Sequence, residues 1–368
     1  MTVPGVDRET QALLDRFGFD EELFETLRAR VASGELSPGA NLVRGSIEPP
    51  RTEDVERLPE PGEPGFEEAR SAGLDALRRG EVAQVVLAGG MATRFGGVVK
   101  AIVPAVGERS FLEVKLTQTR ELERLLDVVV PVALMTSFAT DEAVRAHVAE
   151  RGLGDPLVFN QFVSLRLDES GALFRDDDGR VSPYAPGHGD LLGALRSSGV
   201  LERFRRAGVR FLTVSNVDNL GARVDPAVLG AHLLAGRPLT CEVAVKEGDL
   251  GGAPLRVDGR LQLVEGPRIP PGFDQELVPV FNTNTAVVDA DSLDRDYDLT
   301  WLYVRKTAAG RTAVQLEHLY NELSAFVPTT YLEVPRRGPR GRFLPIKTPE
   351  DLAASQGDLR ELLAGTPA

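Results

Sequence analysis

The chain has 368 residues, 42% of them hydrophobic and 26% charged, which is enough for one large α/β domain or two domains of ordinary size. Its 42 basic and 55 acidic side chains give a formal net charge of −13, and this excess of acid argues against nucleic-acid binding. The single cysteine, Cys241, excludes an internal disulfide and a cysteine-based metal site.

The N-terminal segment, residues 1–80, is predicted to be helical at first and then extended. Apolar residues at three- and four-residue spacing predict helices within 7–33, and the Pro-, Gly- and charge-rich stretch 36–64 predicts an extended arm. A further helix, "FEEARSAGLDALRRG", leads to the first strong strand, 82–87. The sequence has no basic–apolar leader and no run of 18 apolar residues, so we expect a cytoplasmic protein that does not bind membranes.

The remainder, residues 81–368, alternates between strands and helices. Apolar, β-branched runs predict strands at 82–87, 128–135, 156–160, 210–217, 240–246, 261–265, 279–288 and 330–334. Helical spacing predicts helices at 111–126, 139–150, 189–198, 225–235, 314–326 and 349–364. This alternation indicates an α/β, Rossmann-like fold with a mixed, mainly parallel sheet flanked by helices. The strand-rich part 240–290 suggests an antiparallel addition, and 330–368 a final strand and helix.

A glycine-rich loop, "VVLAGGMATRFGGVVK", follows the first strong strand. It contains no Gly-Lys pair, which excludes a Walker A loop, and Ala92 occupies the place of the second glycine of GxGxxG. Gly89 and Gly90 nevertheless leave backbone N–H groups open to an oxyanion. Arg94 could fork onto two phosphate oxygens, and Lys100 adds a point charge. The loop is therefore either a phosphate cradle or a surface turn with solvated cations.

Polar residues also follow the apolar strand in "TVSNVDNLG". Ligands of open α/β sheets lie beyond the carboxyl ends of the strands, which is where this pattern puts Asp218. A single carboxylate combined with phosphate oxygens suits Mg²⁺, although an aspartate here could equally stabilise its own turn. Asn216 and Asn219 would shape that turn or contact a ribose.

Two further loops carry nucleotide-binding candidates. Gln161 ends "VFNQ", and its amide offers one donor and one acceptor to a base edge, unless it is merely a loop amide. His188 lies between Gly187 and Gly189 in "YAPGHGDLLGAL", where an imidazole could hydrogen-bond a uracil or a sugar phosphate. The other histidines fall in helical patterns and are assigned no function: His147, His232 and His318.

Candidates for binding a sugar end the strands "LVEG" and "VFNTNT". Glu265, Asn282 and Asn284 supply the acceptors and donors that hydroxyl groups require, with backbone around Gly252 close by in sequence. Asn-rich strand ends also occur as plain turns.

Lys347 in "RFLPIKTPEDL" lies between a strand-like run and a predicted helix start. Thr348 as cap, a proline at the first helical position and Asp351 in the first turn all favour a helix beginning here. Such a junction would fix Lys347, and its charge could neutralise a sugar phosphate or an α-phosphate.

These motifs together resemble the UTP–glucose-1-phosphate uridylyltransferase family of the eukaryotic-like type. The segments that carry the resemblance occur in the family's order: "LAGGMATRFG", "FNQ", "PGHGD", "SNVDNLGARVD", "LQLVE", "VFNTNT", "QLE" and "VPR…RFLPIKTPEDL". The resemblance covers roughly residues 82–365 and implies the nucleotide-diphospho-sugar transferase fold. It further implies Mg²⁺-dependent transfer of UMP from UTP to glucose 1-phosphate, giving UDP-glucose and pyrophosphate.

The resemblance also distributes roles over the candidate residues. It implies catalytic cations at Arg94, Lys100 and Lys347, and a metal ligand at Asp218. The implied nucleotide site comprises Leu87, Gly89, Gly90, Gln161, Gly187, Asn216 and Asp218. The implied sugar-phosphate site comprises His188, Gly252, Glu265, Asn282 and Asn284.

Three features depart from the family pattern. No proline precedes Lys100, which comes one residue early, so either Lys100 or Lys115 could serve the triphosphate; we favour Lys100. Extra residues separate "VPR" from "RFLP", and no C-terminal β-helical domain is expected, which favours a monomer or small homo-oligomer. Two other functions stay open: a uridylyltransferase for N-acetylglucosamine or galactose 1-phosphate, and a non-catalytic UDP-sugar sensor. The segment "GHGD" favours the glucose-type branch over the acetylglucosamine enzymes.

Overall fold

The computed structural model describes residues 6–92, 95–249, 251–346 and 348–364. Its α-helices are α1 (Arg8–Arg16), α2 (Glu21–Ala32), α3 (Phe66–Arg78), α4 (Phe111–Leu126), α5 (Asp141–Glu150), α6 (Leu191–Ser197), α7 (Val200–Arg206), α8 (Pro226–Ala235), α9 (Pro349–Ala354) and α10 (Gln356–Ala364). Its strands are β1 (Ile47–Glu48), β2 (Glu56–Arg57), β3 (Val82–Leu87), β4 (Met91–Ala92), β5 (Val98–Val99), β6 (Pro104–Val106), β7 (Arg109–Ser110), β8 (Val132–Thr136), β9 (Leu157–Asn160), β10 (Ser164–Leu165), β11 (Pro183–Tyr184), β12 (Phe211–Asn216), β13 (Leu239–Val245), β14 (Ala253–Val257), β15 (Arg260–Val264), β16 (Val280–Asp289), β17 (Leu302–Ala308), β18 (Arg311–Glu317) and β19 (Thr329–Glu333).

A mixed sheet of eight strands forms the centre of the molecule, in the order β2-β19-β13-β16-β12-β3-β8-β9. Every neighbouring pair is parallel except the two that involve β16, which runs antiparallel to β12 and β13. Strand β3, between β12 and β8, is buried along its whole length because helices cover both faces of the sheet. The predicted α/β fold with a mainly parallel sheet is therefore confirmed.

Separate apolar clusters lie on the two faces of this sheet. On one face, α4, α5 and α10 pack against Val86 and Leu134 through residues such as Phe111, Val144 and Leu359. The opposite face packs against α6 and α7, which contribute a second apolar cluster that includes Leu195 and Phe204. This sandwich leaves the carboxyl ends of the parallel strands as the edge where loops converge.

The N-terminal segment packs onto the rest of the chain. α1 and α2 bury Leu14 and Phe24 against the β17–β18 hairpin, in a cluster that includes Val314 and Leu316. The arm adds β2 to the edge of the main sheet beside β19, and β1 pairs with β14. The stretch predicted as an extended arm is thus tied down by backbone pairing rather than projecting from the molecule.

The strand-rich part 240–290 is divided between two sheets. β13 and β16 lie inside the main sheet, whereas β14 and β15 form a small antiparallel sheet with β1. The periodicity of the sequence shows that these segments are extended, but it does not show which partner each strand takes, because pairing is set by long-range packing.

One predicted helix, 314–326, is wrong. Residues 311–317 are strand β18, paired with β17, and a 3₁₀ turn follows at Tyr320–Ala325. The apolar spacing of "AVQLEHLYNEL" fits both periods, and tertiary pairing with β17 decides between them. Smaller differences are a strand that begins at Val132 rather than 128, and a C-terminal helix divided into α9 and α10.

Within the described residues, no helix combines the length and the hydropathy that a bilayer span requires.

Candidate active site

A cleft lies where the central parallel strands end. Leu87, the last residue of β3, is in register with Asn216 of β12 on one side and Met135 of β8 on the other, and Thr136 is in register with Asn160. The loops that carry the predicted candidates therefore leave the sheet side by side, as the rule for ligand sites in open α/β sheets requires.

Gly89 and Gln161 lie against each other at the nucleotide end of this cleft. Gln161 N donates to Thr136 O at 2.8 Å, and Ser137 Oγ donates to Gly89 O at 2.9 Å. A Cβ at Gly89 would lie 2.6 Å from Gln161 Oε1, so any larger residue would displace the amide. The close approach of the Gln161 side chain therefore explains why residue 89 is a glycine, which the sequence pattern alone does not explain. Gly90, the next residue, is exposed.

Lys100 and Asp218 form an ion pair at the mouth of the cleft. Nζ of Lys100 donates to Oδ2 of Asp218, and each side chain keeps less than a fifth of its surface exposed, at 19% and 16%. The backbone N–H of Lys100 donates to Gly90 O at 3.2 Å, which ties the lysine to the glycine loop. Two residues predicted from separate motifs, 118 positions apart, are therefore in contact.

The other two predicted cations, Arg94 and Lys347, lie outside the described residues, so their roles stay predictions. The elements next to them are defined. Met91–Ala92 pairs with Val98–Val99 in a short antiparallel hairpin, and Thr348 accepts from the Asp351 N–H to cap α9 with a capping box. The predicted helix start after position 347 is confirmed.

Lys115 cannot replace Lys100 at the triphosphate, because it is fully buried under the sheet edge. Its Nζ donates to Asn219 O at 2.5 Å and to Ala222 O at 2.6 Å, and none of its surface is exposed. Burial, together with the charge of Arg342, lowers the pKa of Lys115 to about 7.

This lowered pKa predicts a pH dependence of stability that the Lys115→Met variant should lack. Between about pH 7 and 10.5 the unfolded chain holds a proton on Lys115 that the folded chain has released, so unfolding takes up a proton. The free energy of unfolding of the wild type should therefore rise relative to Lys115→Met by about 1.4 kcal/mol per pH unit in that window. Denaturant unfolding at pH 7.5, 8.5 and 9.5 measures this slope, and parallel curves for the two proteins would contradict it.

A bulge in β16 turns two asparagines toward the cleft. Glu242 pairs with Thr285 and Val243 with Asn282, which leaves Thr283 and Asn284 as extra residues on β16. Asn284 adopts a positive φ of 57°, a conformation that asparagine tolerates better than most residues. Bulges frequently re-aim side chains beside active sites, and this one does so for Asn284.

Asn284 is the centre of an amide–carboxylate network on the sugar side. Its Nδ2 donates to Asn216 Oδ1 at 2.9 Å, and its Oδ1 accepts from Asn321 Nδ2 at 2.5 Å. Asn321 also donates to Glu265 Oε1 at 3.1 Å, and Asn282 Oδ1 accepts the backbone N–H of Asn284 at 3.0 Å. All three predicted sugar-site side chains, together with Asn216, therefore belong to one network.

Glu265 closes this network against Gly252. A Cβ at Gly252 would lie 2.8 Å from Glu265 Oε2, and Gly252 O accepts from Asn282 N at 2.8 Å. Burial raises the pKa of the Glu265 carboxyl. The carboxyl therefore lies in an environment where hydroxyl donors of a ligand would stabilise its charged form.

His188 packs beside the network as a neutral imidazole. Its Nδ1 accepts from Tyr320 N at 3.2 Å, and the two rings meet edge to face with centroids 5.1 Å apart. Burial and the neighbouring His318 lower the pKa of His188 to about 4, so the ring is uncharged at neutral pH. Gly187 immediately precedes the 3₁₀ turn that carries this histidine.

His318, which the sequence assigned to a helix without function, follows β18 and supports the same turn. Its Nε2 lies 2.6 Å from Asp190 Oδ1, and its ring stacks on Trp301 at 4.2 Å. Asp190 Oδ2 accepts from Phe162 N at 3.0 Å, which joins the turn to the loop after β9. The position of His188 thus depends on residues distant in sequence.

Asn321 and Tyr320 are members of the cleft that sequence reasoning missed. The wrong helix over 314–326 concealed them, because a surface helix has no reason to place an amide in a cleft. A strand-and-turn interpretation of "VQLEHLYNEL" would have put Asn321 just after a strand end, like the other polar candidates.

If the network around Asn284 binds a sugar phosphate, as the resemblance implies, replacing Asn321 with Ala should weaken that binding selectively. The change leaves Glu265 Oε1 and Asn284 Oδ1 without this donor, a loss of about 1–1.5 kcal/mol. We expect the KM for the sugar phosphate to rise roughly 10-fold and the KM for UTP less than 2-fold. Gln356→Ala is the control, since that amide bonds Ala105 O and Leu352 O instead. Equal increases in both KM values would contradict the assignment of Asn321.

The donor set at the mouth of the cleft fits a magnesium ion that binds together with a nucleotide. Among the described residues, no group of three or more His, Cys, Asp or Glu side chains could enclose a metal ion without other ligands. Mg²⁺ typically uses one or two carboxylates and completes its shell with phosphates and water, and Asp218 provides such a carboxylate beside the glycine loop.

Solved structures with the same architecture are sugar-nucleotide pyrophosphorylases. A UDP-glucose phosphorylase from Trypanosoma brucei matches with a TM-score of 0.76 and 23% identity, over 94% of this chain and 78% of the other. A mutant UDP-glucose pyrophosphorylase from Leishmania major matches with a TM-score of 0.73 and 21% identity, over 95% and 79%. The chain thus has the fold of nucleotide-diphospho-sugar transferases, as the sequence predicts.

The family itself follows from sequence similarity. A family model described as UTP–glucose-1-phosphate uridylyltransferase matches residues 23–367, and the chain belongs to this family. A probable UTP–glucose-1-phosphate uridylyltransferase of Schizosaccharomyces pombe is 31% identical over 90% of this chain and 68% of that protein. UTP–glucose-1-phosphate uridylyltransferase 2 of Dictyostelium discoideum is 30% identical over 82% and 62%. The chain therefore spans roughly 62–68% of the length of these relatives.

Proposed function

We propose that the protein transfers UMP from UTP to glucose 1-phosphate and releases pyrophosphate. The observation that carries this proposal is the juxtaposition, at one sheet edge, of a glycine loop with the Lys100–Asp218 pair and, on the sugar side, the network around Asn284. The glycine loop with the Lys100–Asp218 pair suits a metal-bound polyphosphate, and the network around Asn284 suits a neutral polyol. Membership of the uridylyltransferase family supports the same pairing of substrates.

The uracil would be recognised by Gln161. Its side-chain oxygen lies beside the space left by Gly89, its backbone N–H donates to Thr136 O, and the residue is buried, so its backbone is positioned at the cleft before a nucleotide arrives. One amide donor and one acceptor complement the O4/N3 edge of uracil. Leu87 and Gly187 complete the proposed nucleotide site through the loops that they begin.

The phosphates would bind around Lys100 and Asp218. When bound, Mg²⁺ would supply charge neutralisation between the two anionic substrates, with Asp218 as its protein ligand. Lys100, now paired with Asp218, would hold the departing pyrophosphate together with Arg94. Lys347 would hold the incoming sugar phosphate.

The transfer itself requires no nucleophile from the protein. A phosphate oxygen of the sugar phosphate is already anionic and attacks the α-phosphorus in line, as pyrophosphate leaves. The chain contributes positioning and charge, which are the main contributions to catalysis of phosphoryl-type transfer. His188, neutral at physiological pH, would donate or accept a hydrogen bond rather than supply a positive charge.

The sugar would bind across the network of Glu265, Asn282, Asn284 and Asn321. The carboxylate just after β15 and the amides in the first half of β16 offer acceptors and donors in the alternation that vicinal hydroxyls require. We include in the proposal a cytoplasmic location and a monomer or small homo-oligomer, as predicted from the sequence.

A pyrophosphate-release assay with UTP tests this proposal. We expect turnover with glucose 1-phosphate that depends on added Mg²⁺, and slower turnover with galactose and N-acetylglucosamine 1-phosphates. A preference for an acetylated sugar would overturn the proposed substrate. Saturable UDP-glucose binding without turnover of any sugar phosphate would indicate a sensor in place of an enzyme.

A further inference from the structure

Two side chains of helix α4 donate hydrogen bonds to the loop that follows Asp218. Lys115 Nζ donates to the carbonyls of Asn219 and Ala222, and Gln118 Nε2 donates to that of Leu220 at 3.1 Å. Three of the four carbonyls in residues 219–222 are thus bound by two side chains one helical turn apart. We call this loop, residues 219–222, the aspartate loop.

Burying a lysine amino group here has a free-energy cost that another residue type would avoid. Lys115 has no exposed surface, and both of its hydrogen bonds go to backbone carbonyls rather than to a carboxylate. An apolar side chain of similar length would fill the same space in this amphipathic helix without that cost. What the amino group adds is directional bonding to two carbonyls of the aspartate loop.

The aspartate loop is bonded in turn to the segment that precedes Lys347. Asn219 Nδ2 donates to Arg342 O at 3.0 Å, and Leu344 N donates to Asn219 Oδ1 at 3.1 Å. A β-bridge joins Asn219 to Pro345. The carbonyl of Asn219 accepts from Lys115 while its side chain holds this segment, so one residue connects the helix to both parts of the phosphate site.

We propose that Lys115 is a positioning residue for the phosphate site. Its amino group fixes the aspartate loop, and through that loop the Asp218 carboxylate and the segment 342–346, without touching a substrate. This inference rests on the proposed function, because it concerns the orientation of the same phosphate-binding groups.

Steady-state kinetics of Lys115→Met test the proposal. Displacing catalytic groups by about 1 Å can cost on the order of 10²-fold in rate, so we expect kcat to fall roughly 10- to 100-fold. The Mg²⁺ concentration for half-maximal activity and the KM for UTP should rise, and the KM for glucose 1-phosphate should rise by a smaller factor, because Lys115 reaches the segment 342–346 through Asn219. A purely structural lysine would lower the Tm and leave these constants unchanged at 25 °C.

Thr119→Val on the same helix is the matched control. Thr119 is also buried, but its hydroxyl donates to Gln84 Oε1 at 2.6 Å and not to the aspartate loop. It should lower the Tm without changing kcat or the Mg²⁺ requirement. Gln118→Leu is the second test variant, in case Lys115→Met does not fold, and should shift the same constants in the same direction by a smaller factor. Unchanged constants in the folded test variants would overturn the proposal.

Calorimetric titration of UTP with Mg²⁺ separates this inference from the proposed function. If the wild type binds UTP but turns over no sugar phosphate, the proposed reaction fails while the positioning role still predicts weaker UTP binding by Lys115→Met. If the wild type is active and Lys115→Met matches it in both binding and turnover, only the positioning role fails.

Discussion

Replacing Asp218 with Asn is expected to lower kcat/KM by on the order of 10²- to 10³-fold, equivalent to about 3–4 kcal/mol of transition-state stabilisation. The substitution preserves the shape of the side chain and removes the charge that faces Lys100 and the phosphates. The Mg²⁺ concentration needed for half-maximal rate should rise with it. Kinetics over a range of Mg²⁺ concentrations provide the measurement.

Asp274→Asn is the matched control for this experiment. Asp274 is an exposed residue that caps the 3₁₀ turn Gln275–Leu277, and asparagine serves that role equally well. Its kinetics should equal those of the wild type. An Asp218→Asn variant with wild-type kinetics and the same Mg²⁺ requirement would remove Asp218 from the phosphate site.

Replacing Glu242 with Gln is expected to lower the free energy of unfolding by about 3–5 kcal/mol. Arg342 donates to both carboxylate oxygens of Glu242 at 2.6 Å, and the two side chains are only 3% and 1% exposed. Burial lowers the pKa of Arg342, but the charge and hydrogen bonds of Glu242 outweigh it and keep the pKa above its ordinary value. The variant therefore removes the nearer counter-charge of a buried guanidinium and leaves it the more distant carboxylate of Asp225, 3.7 Å from Nη1.

Equilibrium denaturant unfolding of Glu242→Gln, beside Glu202→Gln, measures this effect. Glu202 pairs with Arg206 on the surface of α7, where the side chains are 56% and 78% exposed, so its loss should cost less than about 1 kcal/mol. A similar decrease in the free energy of unfolding in the two variants would show that the buried Arg342–Glu242 pair contributes no more to stability than a surface ion pair.

The sequence predicted those parts of the fold whose signals are local. The bounds of α4 agree with prediction because Ser110 caps it, Glu113 completes a capping box and its apolar face has a clear helical period. Strand β3 agrees because an apolar run, interrupted only by Gln84, leads into two glycines and has few other interpretations. The strands that precede Asp218 and Gln161 end close to where they were predicted to end, whereas Asn282 and Asn284 lie inside β16 rather than at a strand end.

What the sequence did not predict depends on contacts between distant residues. The bulge that turns Asn284 toward the cleft arises from the pairing of β16 with β13. The residues "FNTNT" do not by themselves indicate the register of that pairing. Asn321 was concealed by a spacing compatible with both helix and strand. Lys115 and Arg342 look like surface charges in the sequence, because only the packed structure shows that they are buried.

The most direct test of the proposed reaction is ³¹P NMR of the wild-type protein with UTP, glucose 1-phosphate and Mg²⁺. We expect UTP and glucose 1-phosphate to disappear at equal rates while UDP-glucose and pyrophosphate appear in a 1:1 ratio. Unchanged UTP, or its hydrolysis to UMP or UDP without formation of a nucleotide sugar, would contradict it.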